Sequence, residues 1–118
     1  MRLTFYGYPN CGSCKKAQNW LDEHKIDYEF VHIVDNTPTK KEILSLIEQS
    51  DEKPRRFFNT SGRVYRELNM KDKVPHLTTD EMAEYLASDG MLIRRPIVTN
   101  SEKITVGFKE EQFAKTWL

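Results

Sequence analysis

The sequence predicts an α/β fold in which a β-α-β segment and a β-β-α segment flank a helical insertion. The first observation is that residues 1–34 pass from strand-like to helical and back to strand-like patterning. The second is that residues 92–118 hold two strand-like runs, a turn between them and a final amphipathic stretch. The third is length, because 118 residues fit one domain, with the insertion at about residues 38–90.

The first three elements are predicted as a strand, a helix and a strand. Residues 3–6 are β-branched and aromatic, and the glycine and proline that follow end the strand in a loop. Residues 28–34 have strand character again. From Ser13 the apolar period is helical, with one face formed by Cys14, Ala17, Leu21 and His24. A helix of about a dozen residues suits the crossover between two parallel strands.

The insertion is predicted to be helical. Thr39, with Glu42 three residues later, matches a capping box ahead of an apolar helical face. Phe57-Phe58 and then residues 64–68 predict two short helices separated by a turn. One threonine of the pair at 78–79 caps a further helix.

The C-terminal part returns to strand patterning. Residues 92–98 and 104–106 have strand character, and the turn residues at 100–102 separate them. This pattern predicts an antiparallel hairpin. A last amphipathic helix then carries Phe113, Ala114, Trp117 and Leu118.

Composition excludes several functional classes. Eighteen basic and 18 acidic residues give a formal net charge of zero, which argues against general attraction to nucleic acid or anionic membranes. No segment approaches the roughly 20 apolar residues of a membrane span, and the N-terminus lacks signal-peptide features. Two cysteines are too few for a disulfide-stabilised secreted scaffold. We therefore expect a cytoplasmic monomer that contacts neither membrane nor nucleic acid directly.

The two cysteines, Cys11 and Cys14, lie where the first strand gives way to the first helix. The N–H groups of a first helical turn favour an anion, so this position favours a thiolate at Cys11. The lysines at 15–16 add positive charge, and Gly12 and Ser13 are small residues between the two sulfurs. We predict that Cys11 attacks an oxidised partner and that Cys14 resolves the mixed disulfide.

Two other interpretations of the cysteines are open. The pair could be half of a zinc site, but no second Cys-x-x-Cys follows, and His24, His32 and His76 have unsuitable spacing. Alternatively, Cys14 could be a small buried apolar residue on the inner face of the helix. The position of Cys11 in a loop favours the redox pair, without a metal ion.

A second candidate feature is the segment Arg94-Arg95-Pro96 before the third predicted strand. A proline at this place can adopt a cis peptide bond facing the cysteine loop. Arg95 could then stabilise the thiolate or hold an oxyanion. Equally, Arg94 and Arg95 could be solvated charges on an edge strand.

Taken together, these motifs resemble the ArsC/Spx family, the thioredoxin-like arsenate reductases and their redox-regulator relatives. The resemblance runs nearly end to end through YPNCGSCKKA at 8–17, FNTSG at 58–62, YREL at 65–68, LIRRPIV at 92–98 and VGF at 106–108. It implies a thioredoxin-like fold with a helical insertion. It also implies that Cys11 is the nucleophile, Arg95 the functional arginine beside it and Pro96 a cis proline.

The resemblance implies three alternative functions, and the sequence departs from the pattern of two of them. The first is a small thiol–disulfide oxidoreductase without a bound cofactor, using glutathione or thioredoxin as a thiol co-substrate. The second is a redox-sensing regulator that binds the RNA polymerase alpha subunit, although the Asp51-Glu52-Lys53-Pro54 segment departs from the glycine of those regulators. The third is arsenate reduction. Glutathione-dependent arsenate reductases use three arginines, and here only Arg95 matches, with Asn59 and Phe108 at the other positions.

Overall fold

Four strands form one mixed sheet in a computed structural model that describes residues 2–118. They are β1 (Leu3–Gly7), β2 (Tyr28–His32), β3 (Ile97–Thr99) and β4 (Ile104–Val106). Their order across the sheet is β2-β1-β3-β4. β1 pairs in parallel with β2, whereas β1 with β3 and β3 with β4 are antiparallel. The β-α-β and β-β-α segments predicted from the sequence therefore meet in one sheet, and the fold is thioredoxin-like.

Two helices complete this part of the chain. α1 (Gly12–Glu23) is the crossover between β1 and β2, and the last helix in the chain spans Glu110–Trp117. The helical spacing of apolar residues in α1 places one face in the core, because positions three and four apart lie above one another. This core contains Leu3, Phe5, Cys14, Ala17, Trp20, Leu21, Val98 and Phe113.

The chain divides into two compact units, which we call the sheet unit and the helical unit. The sheet unit contains the residues up to His32 together with Arg95–Leu118, and the helical unit is Ile33–Arg94. The helical unit consists of α2 (Lys40–Gln49), α3 (Arg63–Glu67), α4 (Met70–Lys73) and α5 (Thr79–Ser88), with 3-10 turns at Pro54–Phe57, Val74–His76 and Gly90–Leu92. We number the C-terminal helix Glu110–Trp117 α6. The range 38–90 predicted as an insertion lies within the helical unit.

Two capping boxes mark the N-termini of α2 and α5, the longer helices of the helical unit. Thr39 Oγ1 accepts the backbone N–H of Glu42 at 3.2 Å, and the Glu42 carboxylate accepts the N–H of Thr39 at 3.0 Å. Thr78 and Glu81 make the same reciprocal pair before α5, at 3.1 and 2.9 Å. Each box satisfies two backbone donors that the first helical turn leaves open. The prediction from Thr39 and Glu42 is confirmed, and Thr78 is the cap of the pair at 78–79.

The prediction of one continuous strand over residues 92–98 is wrong. The structure has a 3-10 turn at Gly90–Leu92, a single β-bridge between Ile93 and Phe58, and a strand that begins only at Ile97. The physical reason is Pro96, which has no N–H to donate to a strand ladder. The Arg95–Pro96 peptide bond is cis, as the resemblance implies.

Two smaller elements also differ from the sequence predictions, and a third element, α4, was not predicted. β2 ends at His32 and not at residue 34, because the chain turns where Thr37 Oγ1 donates to the carbonyls of Ile33 and Val34. The expected helix at Phe57-Phe58 is a 3-10 turn that Pro54 starts. α4 has only four residues and begins after Asn69, which has a left-handed backbone with φ of 55°. None of the helices described between residues 2 and 118 is long and apolar enough to span a bilayer.

Candidate active site

Cys11 is the N-cap residue of α1. Its backbone is extended, with φ of −107° and ψ of 115°, and its carbonyl accepts the N–H of Lys15 at 3.1 Å. Its Sγ atom accepts the backbone N–H of Cys14 at 3.2 Å. Before the helix, a turn is closed by the Cys11 N–H, which donates to the carbonyl of Tyr8 at 3.2 Å. The turn and the cap together hold the sulfur at the N-terminus of the helix.

The electrostatics of this position favour a negative charge on the Cys11 sulfur. The N-terminus of a helix carries about half a positive elementary charge, and an anion there is stabilised by about 0.3–1 kcal/mol. The first turn of α1 contains no acidic side chain that would oppose this effect. Lys15 and Lys16 are exposed and add positive charge nearby. Cys11 itself is only half-buried, so a partner sulfur can reach it.

Cys14 has the opposite character, because its side chain is fully buried in the core of the sheet unit. Burial raises the pKa of Cys14 to about 12, and a hydrogen bond with the Cys11 side chain and the charge of Cys11 add to the increase. A backbone hydrogen bond with Tyr8 and the cation of Arg95 lower this pKa in part. At neutral pH Cys14 is therefore a thiol. Both cysteines are free thiols in this structure.

The two residues between the cysteines are exposed. A Cβ built at Gly12 meets no heavy atom of residues 2–118 within 4 Å, so packing does not require glycine here. Ser13 also faces solvent. The two residues that separate Cys11 from Cys14 are thus small and exposed.

Arg95 does not lie at a solvated sheet edge. β3 is an inner strand of the sheet, and the Nε atom of Arg95 is buried. The register of β1 and β3 pairs Tyr6 with Ile97, so its extension by two residues brings Arg95 opposite Tyr8. The guanidinium carbon lies over the Tyr8 ring, 5.3 Å from the ring centroid. The cation of Arg95 also lowers the pKa of Cys14, against the larger effect of burial.

Pro96 and the residues around it are fixed by the sheet. Pro96 is buried, and its carbonyl accepts the N–H of Gly107 at 2.8 Å. Gly107 has φ of 80°, a left-handed conformation that glycine adopts without steric cost. Arg94 belongs to the helical unit, where its N–H donates to the Phe57 carbonyl at 2.7 Å. Of the two arginines, only Arg95 therefore lies in the same unit as the cysteines.

The other residues named from the sequence have structural surroundings. Phe108 packs edge-on against Phe113, with ring centroids 4.8 Å apart. Asn59, in the helical unit, donates its N–H to the Leu92 carbonyl at 2.8 Å. His24 is exposed and not on the buried face that the sequence predicts, because it lies beyond the last turn of α1 as its C-cap residue. Within residues 2–118, no group of three or more His, Cys, Asp or Glu side chains is placed to hold a metal ion.

Tyr8 is the residue of this site that the sequence analysis did not single out. Its carbonyl closes the cysteine turn, and its ring contacts both Arg95 and His32. The available signal was an aromatic residue three positions before Cys11. Its connection with Arg95 depends on the pairing of β1 and β3, which are more than 80 residues apart in sequence.

Comparison with known proteins covers almost the entire chain. The family model described as the ArsC family matches residues 6–116. The uncharacterised protein YusI of Bacillus subtilis (strain 168) is 54% identical over 117 residues, which cover 99% of each chain. The global transcriptional regulator Spx 2 of Bacillus cereus is 31% identical over 96% of this chain and 85% of its own. The solution structure of SACOL0876 from Staphylococcus aureus COL has a TM-score of 0.90 and 46% identity, covering 98% of each chain.

Proposed function

The chain belongs to the ArsC family, and on that premise we propose that it is a small thiol–disulfide oxidoreductase in which Cys11 attacks and Cys14 resolves. The observation that carries this proposal is the unequal character of the two cysteines. Cys11 caps a helix N-terminus and is accessible, whereas Cys14 is a buried thiol one helical turn away. A redox pair needs this asymmetry, because the attacking sulfur must be a thiolate, whereas the resolving sulfur must stay protonated until the mixed disulfide has formed.

The proposed reaction balances as a two-electron exchange. The Cys11 thiolate attacks one sulfur of a disulfide partner, forming a mixed disulfide and releasing the other partner sulfur as a thiolate. Cys14 then loses its proton and attacks the Cys11 sulfur, which releases the second partner sulfur. The partner disulfide has been reduced to two thiols, and the protein holds a Cys11–Cys14 disulfide.

The pKa of Cys14 orders the two steps. Burial is the largest cause that raises this pKa to about 12, and a hydrogen bond with Cys11 and the charge of Cys11 add smaller increases. When Cys11 enters a mixed disulfide it loses its negative charge, so this part of the increase disappears. Cys14 therefore becomes easier to deprotonate only after Cys11 has reacted. Arg95, whose cation lowers the Cys14 pKa, favours the same step.

A thiol co-substrate completes the cycle. Glutathione or thioredoxin would reduce the Cys11–Cys14 disulfide by the reverse exchange, so no bound cofactor is required. The proposal places this reaction in the cytoplasm, because glutathione and thioredoxin keep thiols reduced there. The lysines at 15–16, exposed beside Cys11, suit an anionic thiol such as glutathione.

Substitution of each cysteine by serine tests the proposal with hydroxyethyl disulfide as the substrate. Cys11→Ser should abolish reduction above the uncatalysed rate. Cys14→Ser should still accept the first attack but accumulate a mixed disulfide, which intact-protein mass spectrometry detects. A Cys11→Ser protein that reduces the disulfide at the wild-type rate would overturn the proposal.

Redox-controlled regulation of transcription is a second candidate. The observation in its favour is the 31% identity with the global transcriptional regulator Spx 2 over 96% of this chain. In this alternative the Cys11–Cys14 pair is a switch, and the partner is the RNA polymerase alpha subunit. The experiment is a pull-down of polymerase with the reduced protein, the oxidised protein and the Cys14→Ser variant, which cannot form the intramolecular bond. Absence of polymerase in all three samples would remove this candidate.

A further inference from the structure

We propose that Tyr8 is a positioning residue, whose ring holds the Arg95 guanidinium beside the cysteine pair. The inference rests on the proposed function, because Arg95 matters only where Cys11 acts as a thiolate. It adds a residue through which the arginine acts and states how the charge is kept at the site.

The contact is built into the sheet register. Tyr8 follows β1 directly and Arg95 lies two positions before the first residue of β3. The two residues fall opposite each other when the β1–β3 pairing is extended. The guanidinium carbon is 5.3 Å from the centroid of the Tyr8 ring. Cation–π attraction operates within about 6 Å of a ring centroid, so this is a favourable contact.

The same residue is tied to the nucleophile. The Tyr8 carbonyl accepts the Cys11 N–H at 3.2 Å, so the backbone of Tyr8 sets the turn that carries the sulfur. Pro9 restricts the backbone of the residue before it, which limits the conformations available to Tyr8. One residue therefore joins the backbone of Cys11 to the side chain of Arg95.

An aromatic ring suits this task better than an acidic partner would. A carboxylate would hold the guanidinium but would also cancel its charge at the sulfurs. A ring attracts the cation through its quadrupole and carries no net charge, so this contact does not itself cancel the charge of Arg95. In agreement, the cation of Arg95 lowers the pKa of Cys14 against the effect of burial.

The orientation of the Tyr8 ring is supported by a second contact. His32, the last residue of β2, packs against it edge-on, with centroids 5.3 Å apart and an interplanar angle of 71°. An edge-to-face arrangement of this kind is the preferred geometry of ring pairs. The ring thus contacts the end of β2 as well as Arg95, which limits its rotation.

The experiment compares alkylation of Cys11 by a neutral and by an anionic reagent in a Cys14→Ser background. Iodoacetamide reports the reactivity of the thiolate, and the ratio of iodoacetate to iodoacetamide rates reports a cation beside it. The variants are Tyr8→Leu, Tyr8→Phe, Arg95→Met and the double variant Tyr8→Leu with Arg95→Met. Tyr28→Leu is the matched control, because Tyr28 also packs in the sheet unit but pairs with Leu3 at the opposite end of β1.

We expect Arg95→Met to lower the ratio of the iodoacetate rate to the iodoacetamide rate. Tyr8→Leu should lower the ratio about three- to tenfold, in the range that a cation–π contact supplies. Tyr8→Phe should restore most of the loss, because its ring keeps the attraction. In the Arg95→Met background, Tyr8→Leu should add nothing, since the two residues act as one unit.

Three results would overturn the inference. These are an unchanged ratio in Tyr8→Leu, a ratio in Tyr28→Leu that falls as far as in Tyr8→Leu, and full additivity of the two substitutions in the double variant. Alkylation needs no turnover, so these outcomes are independent of the disulfide-reduction assay. Failure of the proposed function would appear there, as unchanged reduction by the Cys11→Ser protein.

Discussion

The backbone N–H of Cys14 donates to the Sγ atom of Cys11 at 3.2 Å, so one cysteine caps the helix that buries the other. This relationship follows from three-residue spacing at a helix start, where an N-cap side chain accepts from the third helical residue. It makes the two sulfurs neighbours while giving them different surroundings.

The cysteines should differ in reactivity in the folded protein. At pH 7 a modest excess of iodoacetamide should modify one residue, Cys11, because Cys14 is fully buried and burial raises its pKa to about 12. Peptide mapping by mass spectrometry identifies the modified residue. In urea-unfolded protein both cysteines should react, and equal modification of the two in the folded protein would contradict the assignment.

The raised pKa of Cys14 predicts a loss of stability in alkali. A thiol that holds its proton more tightly when folded, with a pKa of about 12 instead of 9.0, stabilises the fold fully below pH 9. Above pH 9 the unfolded chain releases this proton first, so the free energy of unfolding falls as pH rises toward 12. The loss from Cys14 is at most about 4 kcal/mol.

Urea unfolding of the reduced protein, at a series of pH values from about 8 to 10.5, measures how the free energy of unfolding falls with pH. The Cys14→Ala variant is the control, because every other titrating group remains. Its unfolding free energy should fall less steeply with pH than that of the wild type. Parallel curves for the two proteins would show that Cys14 ionises normally in the fold.

Gly12→Ala should slow the reaction of bulky disulfides with Cys11 without lowering the stability of the fold. The new Cβ meets no heavy atom of the described residues, and alanine is about 0.8–1.0 kcal/mol more favourable than glycine in a helix interior, so stability should be unchanged or slightly higher. Reduction of a bulky protein disulfide should slow more than reduction of hydroxyethyl disulfide, because the methyl group borders the approach to Cys11.

Gly90→Ala is the matched control for this substitution. A Cβ at Gly90 collides with the carbonyl oxygen of Ile33, so this variant should be destabilised. Thermal unfolding and rates with the two substrates distinguish the variants. A strongly destabilised Gly12→Ala protein would contradict the open surroundings of that position.

Arsenate should not protect Cys11 from alkylation. The three-arginine set of glutathione-dependent arsenate reductases is reduced here to Arg95, and the position of Phe108 is filled by a ring that packs against Phe113. A charge-assisted hydrogen bond contributes about 1.5–3 kcal/mol, so loss of two such groups removes most of the affinity. Protection of Cys11 by arsenate, with sulfate as the control anion, would contradict this expectation.

Local signals predicted most elements of the fold correctly. The apolar period gave the crossover helix, and Thr39 with Glu42 marked the start of α2. The errors came where one residue overrides a pattern. Pro96 interrupts an otherwise strand-like run, and the left-handed Asn69 begins a four-residue helix too short to show a period.

The candidate site was only partly readable in the sequence. The spacing of Cys11 and Cys14 and their place at the start of a helix are local features, and these are predicted from the sequence. The contact of Tyr8 with Arg95 arises from the pairing of β1 with β3, a long-range relationship that no local pattern specifies. For the same reason the sequence left Arg95 open between a site residue and an edge-strand charge, whereas in the structure Arg95 precedes an inner strand and its Nε atom is buried.

The most direct test of whether Cys11 and Cys14 form a redox-active pair is a redox titration of the purified protein in thiol–disulfide buffers, with the free thiols counted after rapid alkylation. We expect a reversible two-electron transition between dithiol and disulfide, with a midpoint between about −270 and −180 mV. Neither Cys11→Ser nor Cys14→Ser should show an intramolecular disulfide. Two thiols that remain alkylatable across the whole range of buffers would contradict it.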